Sequence, residues 1–207
     1  MAVKRQISEL DGIYFITTTC HQWLPLIDAT GYDIVYHWFD HLKTEGHFVI
    51  GYVLLPNHLH ALLAFTRCRT SINTIIGNGK RFMAYEIIKR LKELNEIRLL
   101  EKLAADVSKR ERKRGKQHEV FEPSFDWKEC NTDKFIIQKL DYMHDNPCRG
   151  VWDLVDNPEL YVHSSARFYA TGEQGIYWVT HFGELEDIDL TKTRSPRVET
   201  PSDSERR

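Results

Sequence analysis

The sequence predicts an α+β fold, on the strength of three observations. A β-branched and aromatic run at 12–20 is typical of a strand. The segment 32–45 carries apolar residues at helical spacing and ends at a glycine, a common helix C-cap. Two further apolar runs, 47–55 and 59–65, are separated by a short polar break, which predicts a hairpin. The 207 residues suffice for one well-filled core, so we expect a single domain with a tail.

Two more helices are predicted after the hairpin. Ser71 is placed to cap a helix that runs to about Leu100, but the glycines in 77–79 predict either a kink or two shorter helices. Another helix is predicted to begin near 131–133, whose residues are suited to N-capping. We divide the chain into a catalytic domain, 1–175, and a C-terminal extension, 176–207, which is polar and expected to be largely disordered after about residue 190.

The net charge of −2 hides an uneven distribution of charge along the chain. The stretch 67–116 holds fifteen Lys and Arg against six Asp and Glu, so the overall charge does not exclude DNA as a partner. The four cysteines are widely separated and form no Cys-x-x-Cys pair, which argues against a zinc ribbon and favours a reducing compartment. The start of the chain is polar, and no stretch is long and apolar enough to span a membrane. We therefore expect a cytoplasmic protein.

Two histidines one residue apart open the second arm of the predicted hairpin, in the sequence Pro56-Asn57-His58-Leu59-His60. Side chains alternate along a strand, so His58 and His60 point to the same side. Both faces of this arm are otherwise apolar, which predicts a central strand with the imidazoles at its exposed end. A His-x-His pair alone is more often structural than metal-binding, so its meaning depends on what else reaches it.

A second cluster of chemically useful residues lies far downstream, in Tyr142-Met143-His144-Asp145-Asn146-Pro147. Tyr142 falls off the apolar stripe of its predicted helix, and a tyrosine on a polar helical face is not explained by packing. Asn146 comes four residues later and projects to the same side if the helix continues that far. His144 is turned away from both, which favours a structural role or a role in supporting a metal ligand.

These residue types suit metal-assisted phosphodiester chemistry. A tyrosine hydroxyl is a weak nucleophile at neutral pH, so attack on a phosphodiester needs a cation to polarise the phosphate. Two imidazoles and one carboxamide oxygen form a mixed ligand set that suits Mg²⁺ or Mn²⁺ and does not select between them. His37 and His41 are also four apart on a predicted helix, but they lack the glutamate of a zinc peptidase motif.

The two motifs in this order resemble the single-tyrosine HUH transposases of the IS200 type, and more narrowly their REP-associated branch. Further similarities are the Trp-Leu-Pro-Leu run at 23–26, the Asn-Pro pair at 157–158 and the Ser-Ser pair at 164–165. The resemblance covers roughly 13–169. It implies a ferredoxin-like antiparallel sheet backed by helices, with the histidines on a central strand and the tyrosine on a helix in the C-terminal half.

The resemblance also implies a role for each of these residues. His58, His60 and Asn146 match the metal ligands, and Tyr142 matches the nucleophile that forms a covalent 5′-phosphotyrosyl intermediate. The implied substrate is single-stranded DNA, often recognised through a hairpin, in the cytoplasm at the bacterial nucleoid. IS200-type relatives act as dimers that exchange their catalytic helices, whereas the REP-associated branch is expected to act as a monomer, so monomer and homodimer both stay open.

Several basic residues are candidates for DNA contact. One group lies on the predicted helix after residue 71, where the ring of Tyr85 either stacks on a base or packs in the core. A second group lies in the basic run 109–116, which is predicted as a loop or frayed helix end. One further lysine lies three residues before Tyr142. The candidates are Lys80, Arg81, Arg110, Arg112, Lys113, Arg114 and Lys139.

Two other functions remain compatible with these motifs. One is a nucleic-acid-binding regulator on the same fold without cleavage, although a binder has no need of the two histidines, the tyrosine and the asparagine together. The other is a metal-dependent hydrolase that uses water, in which Tyr142 is dispensable.

Overall fold

A computed structural model describes residues 6–150 and 153–193. Within them, four antiparallel strands form one sheet in the order β2-β3-β1-β4, with helices on both faces. The strands are β1 Gly12–Thr19, β2 Phe48–Leu55, β3 His58–Phe65 and β4 Asp126–Glu129. The α-helices are α1 Leu26–Thr30, α2 Asp33–Thr44, α3 Ile72–Glu93, α4 Ile97–Ala105, α5 Lys109–Arg112, α6 Asp133–His144 and α7 Ala166–Thr171, and 3₁₀ turns lie at His21–Trp23, Asn146–Cys148, Pro158–Leu160 and Phe182–Leu185.

The predicted hairpin is confirmed, and its second arm, β3, is an inner strand of the sheet that pairs with β2 and β1. Every residue of β3 is buried, as the apolar character of both its faces predicts. Alternate residues of β3 pack into two separate hydrophobic cores, one on each face of the sheet. Leu59, Ala61 and Leu63 pack with α2 and α3, whereas Leu62 and Ala64 pack with α6 on the opposite face.

Helix α3 is continuous, so the predicted interruption at 77–79 is wrong. One of its two glycines serves helix packing instead: a Cβ atom on Gly79 would lie only 2.2 Å from Nε1 of Trp38, a buried residue of α2. The two helices approach closely because this position has no side chain. The helix ends at Glu93 rather than near residue 100, and Asn95, with φ of 56°, separates it from α4.

The basic run 109–116 forms the short helix α5 and the turn that follows it. The hydroxyl of Ser108 accepts a hydrogen bond from the backbone N–H of Glu111, which caps α5. The ammonium of Lys116 pairs with the carboxylates of Glu111 and Glu119. The segment is therefore more ordered than a loop, although most of its charged residues remain exposed.

The segment after residue 175 packs against the domain. Tyr177 and Val179 are buried with α2 and β2, and Leu185 is buried in the core under α6. The prediction of disorder after about residue 190 lies almost entirely outside the described residues. None of the described helices is both long and apolar enough to cross a membrane.

The contrast between two glycines of α3 gives a test of this packing. Gly79→Ala should lower the free energy of unfolding by about 1–3 kcal/mol, because the new methyl group collides with a rigid buried indole. Gly77→Ala should raise it by up to about 1 kcal/mol, because that position is exposed and open and alanine is the better helix former. Urea unfolding followed by circular dichroism measures both, and equal effects would contradict the close approach of α2 and α3.

Candidate active site

The two histidines at the start of β3 lie next to each other on one face of the sheet. Their ring centroids are 5.0 Å apart, and they are paired across the ladder with Thr19 and Thr17 of β1. Both rings are buried, with 5% and 4% of their surface exposed, so the prediction that they lie at an exposed end of the strand is wrong. Trp23 covers His58 with a centroid separation of 5.3 Å, and the ring of Phe15 stacks on His60 at 5.3 Å.

The Nδ1 atom of each imidazole has a hydrogen-bond partner next to it. His58 donates from Nδ1 to the side-chain oxygen of Asn57 at 2.6 Å, and Nδ1 of His60 is 2.8 Å from the hydroxyl of Thr17. Such contacts fix ring orientation and leave Nε2 as the nitrogen suited to metal coordination. Sequence reasoning did not assign a role to Thr17, although strand alternation places it on the same face as the histidines.

Burial keeps both imidazoles neutral at physiological pH. It lowers the pKa of His58 to about 4 and that of His60 to about 3; for His60, repulsion from the Lys139 ammonium and from His58 in its protonated form adds to the effect of burial. Neutral imidazole is the form that coordinates metal ions. The pair is thus already in the protonation state that a metal centre requires.

Tyr142 lies beside this pair although the two motifs are far apart in sequence. Helix α6 begins after Thr132, whose hydroxyl caps it, and buries Ile136, Leu140 and Met143 against the sheet. Tyr142 points off this buried stripe, as predicted, and is 51% exposed. Its ring meets that of His60 edge to face, with a centroid separation of 5.5 Å. Tertiary packing therefore places an exposed phenol next to a buried histidine pair.

Asn146 is joined to the tyrosine by a direct hydrogen bond. The α-helix ends at His144, so Asn146 lies in the following 3₁₀ turn and not on α6 itself. Its Nδ2 donates to the backbone carbonyl of Tyr142 at 2.8 Å. This bond directs the amide nitrogen to the helix end, which leaves Oδ1 as the atom of this side chain that would bind a cation.

His144 has the structural role predicted for it. It is buried, and its Nε2 lies 2.8 Å from the hydroxyl of Ser165. The same hydroxyl accepts a hydrogen bond from the backbone N–H of Tyr52 in β2 at 2.9 Å. Ser165 therefore links the C-terminal end of α6 to an edge strand, which fixes the helix that carries Tyr142.

Lys139 lies at the site, one helical turn before the tyrosine. Its Nζ is 5.5 Å from the ring centroid of Tyr142, 5.3 Å from that of Phe15 and 5.0 Å from that of Phe135. Three rings around one ammonium hold it by cation–π attraction. A positive charge is thus kept beside the exposed phenol.

The other basic candidates have different surroundings. Lys80 is buried, and its ammonium donates to the backbone carbonyls of Glu122 and Ser124 at 2.6 and 3.0 Å. We therefore assign it a structural role, holding 122–124 on α3, rather than the predicted DNA contact. Arg112 donates to the backbone carbonyls of Ala104 and Val107, which anchors α5 to the end of α4.

Arg81 and Arg114 come from separate parts of the sequence but line one groove. Its volume is about 620 Å³, and it lies between α3 and the segment 114–123. Tyr85 also lines it and is 65% exposed, so the alternative of a core aromatic is wrong. Arg110 and Lys113 are exposed on α5 and the turn that follows, and neither lines the groove. The fold thus brings together one candidate from each group, Arg81 and Arg114.

Comparisons with known proteins agree with the fold and with the resemblance. The solved structure of a REP-associated tyrosine transposase bound to a REP hairpin matches with a TM-score of 0.57, at 16% identity over 95% of this chain and 98% of the other. The structure of a putative transposase from Deinococcus radiodurans R1 matches 69% of this chain and 97% of its own, at 12% identity and a TM-score of 0.42. No protein-family model and no curated protein matches the sequence.

The chain therefore has an HUH-type transposase fold, a four-stranded antiparallel sheet backed by helices. Within this class, its fold is similar to that of the REP-associated tyrosine transposase.

Proposed function

We propose that this protein is a metal-dependent endonuclease and strand transferase for single-stranded DNA, with Tyr142 as its nucleophile. The observation that carries the proposal is the edge-to-face contact between the exposed Tyr142 ring and the buried ring of His60. A structural tyrosine has no need of solvent access, and a structural histidine pair has no need of a phenol beside it.

The donor set fits a divalent cation, Mg²⁺ or Mn²⁺. Nε2 of His58, Nε2 of His60 and Oδ1 of Asn146 would hold the ion, and the imidazoles are neutral and oriented through Nδ1. When bound, the cation supplies electrophilic activation of the scissile phosphate. This nitrogen and oxygen set leaves positions open for phosphate oxygens and water.

The chain's own residues supply the covalent step. The Tyr142 hydroxyl oxygen attacks phosphorus and loses its proton, so that a tyrosyl O–P bond forms as the P–O3′ bond breaks. The leaving 3′ oxygen takes up a proton and becomes a free hydroxyl, and the 5′ phosphate stays on the tyrosine. Lys139, held against the Tyr142 ring, attracts the phosphate, and Asn146 fixes the end of the helix that carries the nucleophile. Transfer to another 3′ hydroxyl reverses the step.

The proposed partner is DNA that carries a hairpin, supported by the structural neighbour that was solved with a REP hairpin. The groove that contains Arg81, Tyr85 and Arg114 offers both charge and an exposed ring to such a substrate. Of the acidic side chains in its lining, Glu119 pairs with Lys116, and Glu122 accepts a hydrogen bond from the backbone N–H of Gln22.

Replacement of the nucleophile separates the three functions that the sequence left open. Wild-type protein incubated with Mn²⁺ and labelled hairpin-bearing single-stranded DNA should give a protein–DNA adduct that survives denaturing electrophoresis. Tyr142→Phe should give none, because the ring keeps its packing but lacks the attacking oxygen, and it should still bind the DNA. Tyr32→Phe is the control, since it removes the hydroxyl of a tyrosine that bonds Asp28 and lies outside the groove, and it should form the adduct normally.

Other outcomes of this experiment point to the two alternatives. Cleavage without an adduct, retained in Tyr142→Phe, would support a hydrolase that uses water. Binding without cleavage in the wild type, across varied hairpins, would support a regulator.

A pair of adjacent threonines tests the metal site. Thr17→Val removes the hydroxyl beside Nδ1 of His60 and should weaken Mn²⁺ binding by about 10- to 100-fold, as measured by titration calorimetry. Thr18→Val is the matched control, because the Thr18 hydroxyl is buried without a hydrogen-bond partner among the described residues. It should leave Mn²⁺ affinity unchanged. Equal losses in both variants would show that the Thr17 hydroxyl does not orient the ligand.

Removal of charge tests the groove. The double variant Arg81→Gln/Arg114→Gln should weaken DNA binding and reduce the log–log salt slope by roughly 1 to 2, because two phosphate contacts are lost. Mn²⁺ affinity should not change. Arg67→Gln/Arg167→Gln makes the same change in charge at two exposed arginines outside the groove and should leave the slope unaltered. A salt slope that stays at the wild-type value in the groove variant would remove the groove from the DNA path.

A further inference from the structure

Trp23 is an exposed tryptophan at the mouth of the histidine site. It lies in the 3₁₀ turn His21–Trp23 directly after β1, and 60% of its surface is exposed. Its ring is nevertheless 5.3 Å from that of His58, at an interplanar angle of 74°. Since Tyr142 contacts His60, the two buried imidazoles lie between two exposed aromatic rings.

The backbone holds Trp23 in a conformation that side-chain packing does not explain. Gln22 and Trp23 have φ values of 51° and 57°, a left-handed conformation that is unfavourable for residues with a Cβ atom. Hydrogen bonds hold the turn: the Gln22 N–H donates to Glu122, the Gln22 amide donates to Asp106, and the Trp23 N–H donates to the carbonyl of Cys20. These hydrogen bonds therefore maintain a strained backbone that keeps the Trp23 side chain exposed to solvent. Strained backbone of this kind is found at ligand-binding sites.

One side chain fixes both the tryptophan and the histidine. Asn57 donates from Nδ2 to the backbone carbonyl of Trp23 at 3.0 Å, and its Oδ1 accepts from Nδ1 of His58 at 2.6 Å. The position of the indole is thus set relative to the ring proposed to bind the metal. A group that rests on this indole is placed at a defined distance from the site.

The surroundings of the turn favour a base over a phosphate. The carboxylates of Asp106 and Glu122 lie behind it, at 2.9 and 3.4 Å from the ring nitrogens of His21. This acidic setting disfavours an anion close to the turn, whereas the face of a nucleobase is uncharged and stacks well on indole. Duplex bases are already stacked on each other, so the partner must be an unpaired base.

We propose that Trp23 is a stacking platform for an unpaired base of the DNA, placed on the His58 side of the scissile phosphate and opposite Tyr142. This inference rests on the proposed function and deepens it. It assigns a substrate-positioning contact to a residue outside the metal and nucleophile set, and it predicts that the substrate is single-stranded where it crosses the site.

Binding measurements in the Tyr142→Phe background test this contact without cleavage. The probe is a fluorescein-labelled DNA hairpin with single-stranded thymidine flanks, and its binding is followed by anisotropy. Trp23→Leu should weaken binding by about 10- to 100-fold, because the ring is lost while an apolar side chain remains. Trp23→Phe should restore most of the affinity. Trp178→Ala, which removes another exposed tryptophan far from the histidines in sequence, should change nothing.

An abasic scan identifies the stacked base. The flank is rebuilt with one abasic site at a time and tested against the proteins with Trp23 and with Trp23→Leu. At one position the abasic site should weaken binding to the Trp23 protein as much as Trp23→Leu does, and should have no effect on the Trp23→Leu protein. The proposal would be overturned if the effects of the abasic site and of Trp23→Leu on binding multiplied at every position. It would also be overturned if the Trp23→Leu protein bound the DNA as tightly as its parent.

Two further measurements distinguish base stacking from a purely structural role of Trp23 and from failure of the proposed function. Mn²⁺ affinity should be unchanged in Trp23→Leu, and a loss there would mean that Trp23 acts only by packing on His58. The adduct assay with active protein tests the proposed function on its own. If the abasic scan shows coupling but no adduct forms, the stacking contact is supported and transesterification is rejected. If an adduct forms but the scan shows no coupling, transesterification is supported and the stacking contact is rejected.

Discussion

The complete burial of β3 is the constraint on which the rest of the structure depends. A strand covered on both faces has no solvent to stabilise a charged imidazole, so His58 and His60 are held neutral. The same burial demands hydrogen-bond partners for their Nδ1 atoms, and Asn57 and Thr17 supply them. Protonation state and ring orientation, the two properties a metal ligand needs, thus follow from the position of one strand in the sheet.

The sheet also decides how the surfaces around this strand are arranged. Helix α6 packs on one face and brings Tyr142 and Lys139 to His60, whereas α3 packs on the other and carries Arg81 and Tyr85. The Tyr142 site and the groove nevertheless lie at the same end of the sheet. The backbone N–H of Glu122, in the segment that lines the groove, donates to the carbonyl of Thr19, which is paired with His58. In the proposed function, a strand of DNA along the groove would reach the end of the sheet where the histidines lie, close to Trp23.

Helix placement depends on small, specific contacts rather than on the amount of apolar surface. Gly79 lets α3 approach the indole of Trp38, and Ser165 connects the end of α6 to β2 through His144 and Tyr52. Neither contact has a signature in local sequence. Each fixes a helix that carries residues of the proposed site or groove, so each links packing to function.

The sequence by itself determined the strands of the hairpin, the helix with Tyr142 on its polar side, and the identity of the histidine pair, because alternation and helical periodicity are local properties of the chain. Tertiary structure decided the rest. Packing on both faces of β3 buries the histidines, whereas the approach of the segment 114–124 to α3 turns Lys80 inward to backbone carbonyls and places Arg81 and Arg114 in one groove. Burial, electrostatic environment and contacts between distant segments arise from the whole fold, and no window of sequence contains them.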